Sequence, residues 1–316
     1  MRRSASAALK TWIAVSNPVA PTALLACPVS VAGKARGFHS SGADGTGFEN
    51  LRNHPEIEFA TLTDIGCQRQ RNEDSSAYWL PDAFDELERK GSLAIIADGM
   101  GGYEGGQEAS HIAVQTVCDT FAKDAGTPQS LLVSGMKAAH ERIREYARQH
   151  PKLFGMGTTC TAVCVAQAYL YFAHIGDSRL YLVRRGNISR LTRDHSYVAR
   201  LIESGLLSTS EAEAHPQRHI LTAALGVGDD PNPDTPLQPL PLQNGDTLLL
   251  CTDGLWGLVS DEELLKSVRG HVPADACHEL VHLARHRGAP DNVTLQLLRF
   301  RVHGAAAVTG EASTAF

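Results

Sequence analysis

The sequence predicts a layered α+β domain, and three observations support this fold class. Short segments rich in β-branched and aromatic residues recur along the chain, and very short turns follow several of them. Such turns connect only antiparallel neighbours, because a parallel pair needs a crossover of roughly a dozen residues or more. Long stretches with helical spacing of apolar residues lie between the strand segments. Antiparallel hairpins combined with long amphipathic helices favour an α+β domain over a doubly wound parallel sheet.

The predicted strands begin shortly after the first fifty residues. They cover residues 57–63, 93–97, 161–165, 170–174, 179–183, 247–251 and 293–300. The turns Ala166-Gln167-Ala168 and Arg185-Gly186-Asn187 are short enough only for antiparallel neighbours. Residues 55–303 are therefore interpreted as one domain built largely from hairpins.

Apolar residues at helical spacing predict five helices. They cover residues 106–121, 128–149, 197–206, 261–268 and 273–286. Ser208 and Glu211 have the spacing of a capping box, which predicts a second short helix after the third of these. The acidic residues Asp82, Asp85, Glu86 and Glu88 are assigned to an exposed loop between two strands.

Composition excludes several classes of protein. The chain has 316 residues and a formal net charge of −6, which argues against a general nucleic-acid binder. Its seven cysteines include no CxxC pair, so neither a disulfide framework nor a zinc ribbon is expected, and a reducing compartment is the simpler inference. No apolar run approaches the ~20 residues that a membrane helix requires.

The two ends of the chain differ from the domain between them. Residues 1–43 contain no acidic residue, are rich in Ser and Ala, and carry several Arg and Lys residues. Residues 1–54 are expected to be a disordered or targeting extension, and residues 304–316 a flexible tail. A mitochondrial transit peptide and a nonfunctional extension both fit the N-terminal composition. Localisation is accordingly predicted as cytoplasmic, with the mitochondrial matrix as the alternative.

Acidic residues recur at the ends of the predicted strands. They are Glu73, Asp74, Asp98, Asp177, Asp253 and Asp291. If these strand ends converge, several carboxylates are crowded together, and like charges that close cannot all stay ionised without cations. An oxygen-only ligand set without His or Cys favours Mg²⁺ or Mn²⁺ over zinc. The glycines after Asp98 and Asp253 allow close approach of the backbone.

An ordered set of short motifs resembles the protein phosphatase 2C-like (PPM) family of metal-dependent Ser/Thr protein phosphatases, in its bacterial type. The motifs are Arg-x-x-Asn-Glu-Asp (69–74), Asp-Gly-Met-Gly-Gly (98–102), Gly-Thr-Thr (157–159), Gly-Asp-Ser-Arg (176–179), Asp-His-Ser (194–196), Leu-Thr-x-Ala-Leu-Gly (221–226), Asp-Gly-Leu (253–255) and Asp-Asn-Val-Thr (291–294). They span roughly residues 59–300 in family order. The resemblance implies a four-layer α-β-β-α sandwich with two central antiparallel sheets.

The resemblance also implies roles for particular residues. Asp98 is expected to bridge two Mn²⁺ or Mg²⁺ ions, one of which the Gly99 carbonyl would bind. Asp253 and Asp291 would hold the other ion. The remaining expected metal residues are Asp74 and Glu73, through bound water, and Asp177, at a third and weaker site. Arg69 matches the guanidinium that binds the substrate phosphate, where a planar fork suits two phosphate oxygens.

The implied reaction is hydrolysis of phosphoserine and phosphothreonine by direct attack of a metal-bridging hydroxide, with no phosphoenzyme. Phosphorylated proteins and a cognate Ser/Thr kinase are the implied partners, with no nucleic acid, no membrane and a monomeric state expected. Residues 196–218 are interpreted as a flap that selects substrates. Two alternatives stay open: a pseudophosphatase that binds phosphoproteins, and a two-metal hydrolase of small phosphate esters.

One position departs from the animal enzymes of the family. Met100 stands where they often have a histidine proposed as the general acid, and a thioether cannot donate that proton. His195 is a candidate replacement only because it lies within one of the motifs.

Overall fold

The computed structural model describes residues 13–14, 55–81, 83–101, 105–213 and 215–302. Apart from Ile13–Ala14, the predictions made for the N-terminal extension lie outside the described residues, as do those for the C-terminal tail. Ile13–Ala14 forms a short strand that pairs antiparallel with the strand Asp74–Trp79.

The described residues form twelve strands and eight α-helices. The strands are β1 Ile13–Ala14, β2 Pro55–Asp64, β3 Asp74–Trp79, β4 Ser92–Met100, β5 Gly157–Thr158, β6 Cys160–Ala166, β7 Tyr169–Ile175, β8 Arg179–Arg184, β9 Asn187–Arg190, β10 Leu240–Pro241, β11 Thr247–Cys251 and β12 Val293–Val302. The helices are α1 Phe84–Lys90, α2 Gly105–Lys123, α3 Pro128–Gln149, α4 Tyr197–Glu203, α5 Thr209–Glu213, α6 Asp253–Trp256, α7 Asp261–Gly270 and α8 Pro273–His286.

The strands form two sheets, and every described pairing is antiparallel. The first sheet has the order β1-β3-β4-β6-β7-β10, with β5 paired to β4. The second has the order β2-β12-β11-β8-β9. The chain crosses from the first sheet to the second at the turn between β7 and β8, which carries Asp177.

Three groups of buried apolar residues define the layers. One lies between the sheets and includes Ile96, Phe172 and Leu250. A second joins the first sheet to α2 and α3, and a third joins the second sheet to α6, α7 and α8. The predicted four-layer α-β-β-α sandwich is therefore confirmed, with one helical layer on the outer face of each sheet.

The long helices agree with the helical periodicity, but α1 does not agree with the prediction of a loop. Asp85 and Glu86 lie in its first turn, where they suit the positive end of the helix dipole, and Glu88 follows in the same helix, whereas Asp82 lies outside the described residues. The helix ends at Lys90, whose buried ammonium group donates to the carbonyls of Phe121 at 3.0 Å and Ala122 at 2.7 Å. Lys90 thus satisfies carbonyls at the C-terminal end of α2 that otherwise lack a partner.

No helix in the described part of the chain combines the length and the apolar composition needed to cross a membrane.

The loop before β11 is held by an ion pair between Asp246, which is buried, and Arg184, which is partly exposed. Asp246 is 2% exposed and accepts from Arg184 Nε at 3.0 Å and Nη2 at 2.6 Å. The amide of Gln243 donates to the same carboxylate at 2.6 Å. These bonds tie the entrance of β11 to β8, its neighbour in the second sheet.

Asp246→Ala should lower the free energy of unfolding by about 1–3 kcal/mol, because the Gln243 amide loses its acceptor and Arg184 keeps only its bond to the Pro241 carbonyl. Urea denaturation measures this change. The control is Arg301→Ala, which removes the half-exposed pair with Glu58 and should cost about 0–1 kcal/mol. Equal losses in the two variants would contradict the importance of the Asp246 pair.

Candidate metal centre

The acidic residues singled out in the sequence lie at one end of the two sheets. Asp74 begins β3 and Asp98 lies near the end of β4, directly opposite it in the antiparallel register. In the second sheet, Cys251 at the end of β11 pairs with both Arg179 and Leu295. Asp253 and Asp177 lie within two residues of that register row, at its margin, and Asp291 precedes Leu295 of the same row by four residues. Antiparallel pairing therefore explains why acids distant in sequence meet.

A chain of hydroxyl groups fixes the backbone around Asp98 and Asp177. The amide of Asp98 donates to Thr159 Oγ1 at 2.9 Å, and this oxygen lies 2.8 Å from Ser178 Oγ. The Asp98 carbonyl accepts two hydrogen bonds, one from the Thr159 amide at 2.9 Å and one from Thr158 Oγ1 at 2.8 Å. Neutral groups thus position both acids without adding charge.

Two asparagines hold the segment that carries Arg69, Glu73 and Asp74. Asn72 Oδ1 accepts from the amide of Asp74 at 3.0 Å, and Asn292 Oδ1 accepts from the amide of Glu73 at 2.8 Å. The Asn292 amide group also donates to the carbonyls of Ile65 and Arg71, both at 2.9 Å. Asn292 therefore attaches this segment to the start of β12.

Thr252 joins the two sheets beside the carboxylates. Its hydroxyl group donates to Asp74 Oδ2 at 3.0 Å and accepts from the amide of Thr294 at 3.0 Å. Sequence reasoning assigned no role to Thr252, Thr159 or Ser178. Thr159 and Ser178 lie within the quoted motifs and Thr252 directly precedes one, so their position beside the aspartates was the available signal.

Burial and mutual repulsion raise the pKa values of the clustered acids. Burial is the larger cause for Asp74, where it raises the pKa to about 7, and the nearby Asp253 and Asp291 add to it. The pKa of Asp98 is raised well above its usual range by burial and then by Asp74 and Asp253. The pKa of Asp177 is raised in the same way, with Asp253 as the largest neighbouring charge. Protons or cations must offset this repulsion.

The backbone after two of these aspartates has no room for a side chain. A Cβ atom on Gly99 would lie 2.1 Å from the Gly106 carbonyl oxygen and 2.6 Å from that of Glu73. On Gly254 it would lie 1.9 Å from the Asn292 carbonyl oxygen. The close approach predicted for the glycines after Asp98 and Asp253 is therefore present.

Arg69 lies at the rim of the cluster and is about half exposed. Its Nη2 atom donates to Asp291 Oδ2 at 2.7 Å, and its Nη1 atom lies 4.0 Å from Glu73 Oε2. The guanidinium is therefore next to the acids and open to solvent. This position suits a group that binds an anion beside a metal centre.

The donor set fits a hard divalent cation. Asp74 Oδ1 and Asp253 Oδ1 are buried and have no hydrogen-bond partner, so each has a free oxygen at the cluster. Within the described ranges, no three His, Cys, Asp or Glu side chains already stand as a closed ligand set. Side-chain rotation is needed to close it, since Arg69 holds Asp291 and His219 Nδ1 lies 3.9 Å from Asp253 Oδ2.

The comparison with known families agrees with this geometry. The family described as "Protein phosphatase 2C" matches residues 69–285. The chain belongs to the protein phosphatase 2C family.

Relatives in the protein phosphatase 2C family cover most of the chain. Protein phosphatase PhpP of Streptococcus pneumoniae is 34% identical over 247 residues, which is 77% of this chain and 97% of PhpP. Serine/threonine protein phosphatase PstP of Mycobacterium tuberculosis is 34% identical over 240 residues, which is 76% of this chain. The match spans only 44% of PstP, less than half of its length.

Solved structures of the family have the same fold. The crystal structure of PstP/Ppp from M. tuberculosis has a TM-score of 0.69 and 33% identity, over 78% of this chain and 99% of that one. The PstP catalytic domain in complex with two manganese ions has a TM-score of 0.67 and 31% identity, over 78% and 100% of the chains.

The structure shows the surroundings of Met100, which stands at the position of the histidine in the animal enzymes, and of His195, the candidate replacement. Met100 ends β4 opposite Gly157 and has no proton to give. Both ring nitrogens of His195 are engaged, Nδ1 with the Gly176 amide at 3.2 Å and Nε2 with Asp234 Oδ2 at 3.1 Å. His195 is therefore a buried structural residue rather than a free acid.

The region interpreted as the flap contains two short helices. Helix α4 is capped by Ser196, and α5 begins with the reciprocal bonds between Ser208 and Glu211 that define a capping box. The paired stems Ser196 and Leu221 close the segment at its base. His219, directly after the flap, lies with its Nδ1 atom 3.9 Å from Asp253 Oδ2.

The raised pKa values predict how the stability of the chelator-treated protein depends on pH. Asp74 has an unfolded pKa of 3.8 and a folded pKa of about 7, so the folded state holds its proton through that interval. Stability should therefore fall as pH rises towards 7, by at most about 1.4 kcal/mol per pH unit for this proton. Urea denaturation in EDTA at several pH values measures the slope.

Asp74→Asn is the matched variant for this measurement, since it keeps the size of the side chain and removes the titration. The free energy of unfolding of the variant should fall less steeply with pH than that of the wild type, by up to about 1.4 kcal/mol per pH unit. Identical slopes would contradict the raised pKa of Asp74.

Gly254→Ala should displace Asp253 without changing any charge. The new methyl group would meet the Asn292 carbonyl, so Mn²⁺ affinity measured by calorimetry should fall by about tenfold or more. The control is Gly270→Ala at the end of α7, where a Cβ atom meets nothing within 4 Å and binding should be unchanged. Unaltered affinity in a folded Gly254→Ala protein would contradict the proposed placement of Asp253.

Proposed function

We propose that this chain is a Mn²⁺- or Mg²⁺-dependent protein phosphatase that hydrolyses phosphoserine and phosphothreonine in proteins. The observation that carries the proposal is the carboxylate cluster, where Asp74 and Asp253 each have a buried oxygen without a partner. Membership of the protein phosphatase 2C family supports the reaction class. Relatives named as serine/threonine phosphatases support the choice of substrate.

The proposed metal ligands are the acids at the strand ends. Asp98, the Gly99 carbonyl, Asp253 and Asp291 would hold two ions and so supply the Lewis acid for the reaction. Asp74 and Glu73 would act through bound water, and Asp177 would serve a third, weaker site. A relative crystallised with two manganese ions supports the number of strong sites. Oxygen ligands of this kind suit Mn²⁺ and Mg²⁺ alike.

Residues of this chain would then orient the phosphate and balance its charge. When bound, paired divalent ions lower the pKa of water and offset charge on the phosphoryl oxygens. Arg69 can swing from Asp291 to two phosphate oxygens, because its guanidinium is exposed and has several donors.

The serine or threonine leaving group needs a proton as its bond to phosphorus breaks. Met100 cannot supply it, and the Nε2 proton of His195 is held by Asp234. The proton therefore comes from solvent or from another group at the rim of the site. This separates the chain from family members that have a histidine at position 100.

Phosphorylated proteins are the proposed substrates, and a Ser/Thr kinase is the class of enzyme that would produce them. The flap, residues 196–218, would contact the polypeptide on either side of the phosphorylated residue. A reducing compartment such as the cytoplasm is the proposed location, supported by the six cysteines of the described residues, all of which are unpaired.

The proposal is tested by phosphate release from a phosphothreonine peptide, by the full chain, with Mn²⁺ and after EDTA. Release should require the metal, and Asp253→Asn should lower kcat/KM by about a hundredfold or more, because one ligand carboxylate is lost. The matched control is Asp275→Asn in the exposed first turn of α8, which should keep wild-type activity.

Two other outcomes would contradict the proposal. A folded wild-type protein that binds Mn²⁺ and phosphopeptide but releases no phosphate would be a phosphoprotein-binding pseudophosphatase. A preference for nucleoside monophosphates over phosphopeptides, in the same assay, would make the chain a hydrolase of small phosphate esters.

A further inference from the structure

The ring of His195 is fixed between the turn after β7 and a loop that is bonded to β7. Its side chain is 8% exposed, and Nδ1 accepts a hydrogen bond from the Gly176 amide at 3.2 Å. Because Nδ1 accepts, the proton of the neutral ring lies on Nε2, which donates to Asp234 Oδ2 at 3.1 Å. Both polar atoms of the ring are therefore used for position.

The supports on both sides of the ring are rigid. Gly176 directly follows β7, and a Cβ atom there would lie 2.5 Å from Thr159, so the turn is tightly enclosed. Asp234 exchanges two backbone hydrogen bonds with His174 of β7, at 2.9 and 2.8 Å. The ring of His195 thus bridges the end of β7 and a loop attached to the same strand.

The backbone of His195 extends the same junction to the flap. Its amide donates to the Gly176 carbonyl at 2.7 Å, and its carbonyl accepts from the Thr222 amide at 2.8 Å. The next residue, Ser196, bridges to Leu221 and caps α4, the first helix of the flap. Both stems of the flap therefore meet at His195.

The preceding residue anchors the segment from the other side. Asp194 accepts from Arg179 Nε at 3.1 Å and Nη2 at 2.7 Å, and the Arg179 guanidinium lies 3.5 Å from the centroid of the Trp256 ring. The Trp256 indole donates to the carbonyl of Asp177 at 3.0 Å. Through Trp256 and Arg179, these contacts link the Asp177 backbone to Asp194, the residue directly before His195.

We propose that His195 is a positioning residue that sets the Gly176–Asp177 turn and the base of the flap at the same time. Its Nδ1 bond orients the turn that presents the Asp177 carboxylate, and its Nε2 bond holds the flap stems to β7 through Asp234. The inference rests on the proposed function in taking Asp177 as a metal ligand. It assigns His195 no contact with substrate.

Two amide variants separate the two bonds. In His195→Asn the side-chain oxygen takes the place of Nδ1 and can accept from Gly176, but the side chain does not reach Asp234. In His195→Gln the amide nitrogen reaches Asp234, but nothing accepts from Gly176. His195→Ala removes both bonds.

Calorimetric titration of the full chain with Mn²⁺ tests the first bond. His195→Ala and His195→Gln should weaken the weakest Mn²⁺ site by about tenfold, because a partner that orients a ligand is lost. The Mn²⁺ affinity of His195→Asn at this site should be close to that of the wild type. Asp177→Asn, which removes the ligand itself, is the reference for complete loss of the site.

Limited trypsin digestion tests the second bond, and it needs no catalytic activity. Cleavage after Arg200 and Arg218 in the flap should be about five- to tenfold faster in His195→Ala and His195→Asn, because the flap opens more often. His195→Gln should keep the wild-type rate of cleavage.

The control for general destabilisation is Thr192→Val, three residues away. It removes the buried bond from the Leu180 amide to Thr192 Oγ1 at 3.1 Å and leaves the His195 ring untouched. Its Mn²⁺ isotherm and flap cleavage should match those of the wild type at similar loss of stability.

A folded His195→Ala protein with the isotherm and cleavage rate of Thr192→Val would overturn the proposal. So would equal behaviour of the Asn and Gln variants, since the two bonds would then have no separate effect. Phosphate release by the wild type judges the proposed function independently, because neither binding nor cleavage depends on turnover.

Discussion

The gathering of acidic side chains at one end of the two sheets is the constraint on which the rest of this structure depends. Asp74 and Asp98 face each other across a strand pair, and Asp253 and Asp177 add to the same field. Like charges at this separation oppose folding unless protons or cations offset them. Burial of the three apolar cores in the sandwich beneath them offsets that cost.

Neutral hydrogen-bonding groups hold the acids in place. Thr252 bonds Asp74 to β12, Thr159 bonds the Asp98 amide, and Asn292 holds the Glu73 segment. Positive side chains at these points would neutralise the carboxylates and compete with a metal ion. Arg69, the cation that does reach Asp291, lies at the exposed rim, where it can exchange partners. The neutral residues that hold the acids in position are therefore different from Arg69, the residue that offsets part of their charge.

Much of this fold could be predicted from the sequence, because its long helices and most of its strands have clear periodicity. Strand β3 was missed because its first residues, Asp74, Ser75 and Ser76, are polar, and pairing with β4 rather than propensity makes it a strand. The acidic residues of α1 favour a loop when only their charge is considered, but Asp85 and Glu86 lie in the first turn, where acidic residues stabilise a helix. A local pattern carries no information about which strands pair, so only the strand register shows that the acids converge.

Motifs that are separate in the sequence act as one unit in the fold, and His195 shows why position can matter more than reactivity. Its motif, with Asp194, interlocks with Gly176-Asp177-Ser178-Arg179 through a bidentate ion pair and through the ring itself. An imidazole near a metal centre invites assignment as an acid or a ligand. Here both nitrogens are committed, one to a backbone amide and one to Asp234, so the ring has neither a proton nor a lone pair to spare. Its value to the site lies in the geometry that it imposes, since the turn that bears Asp177 and the base of the flap share one anchor.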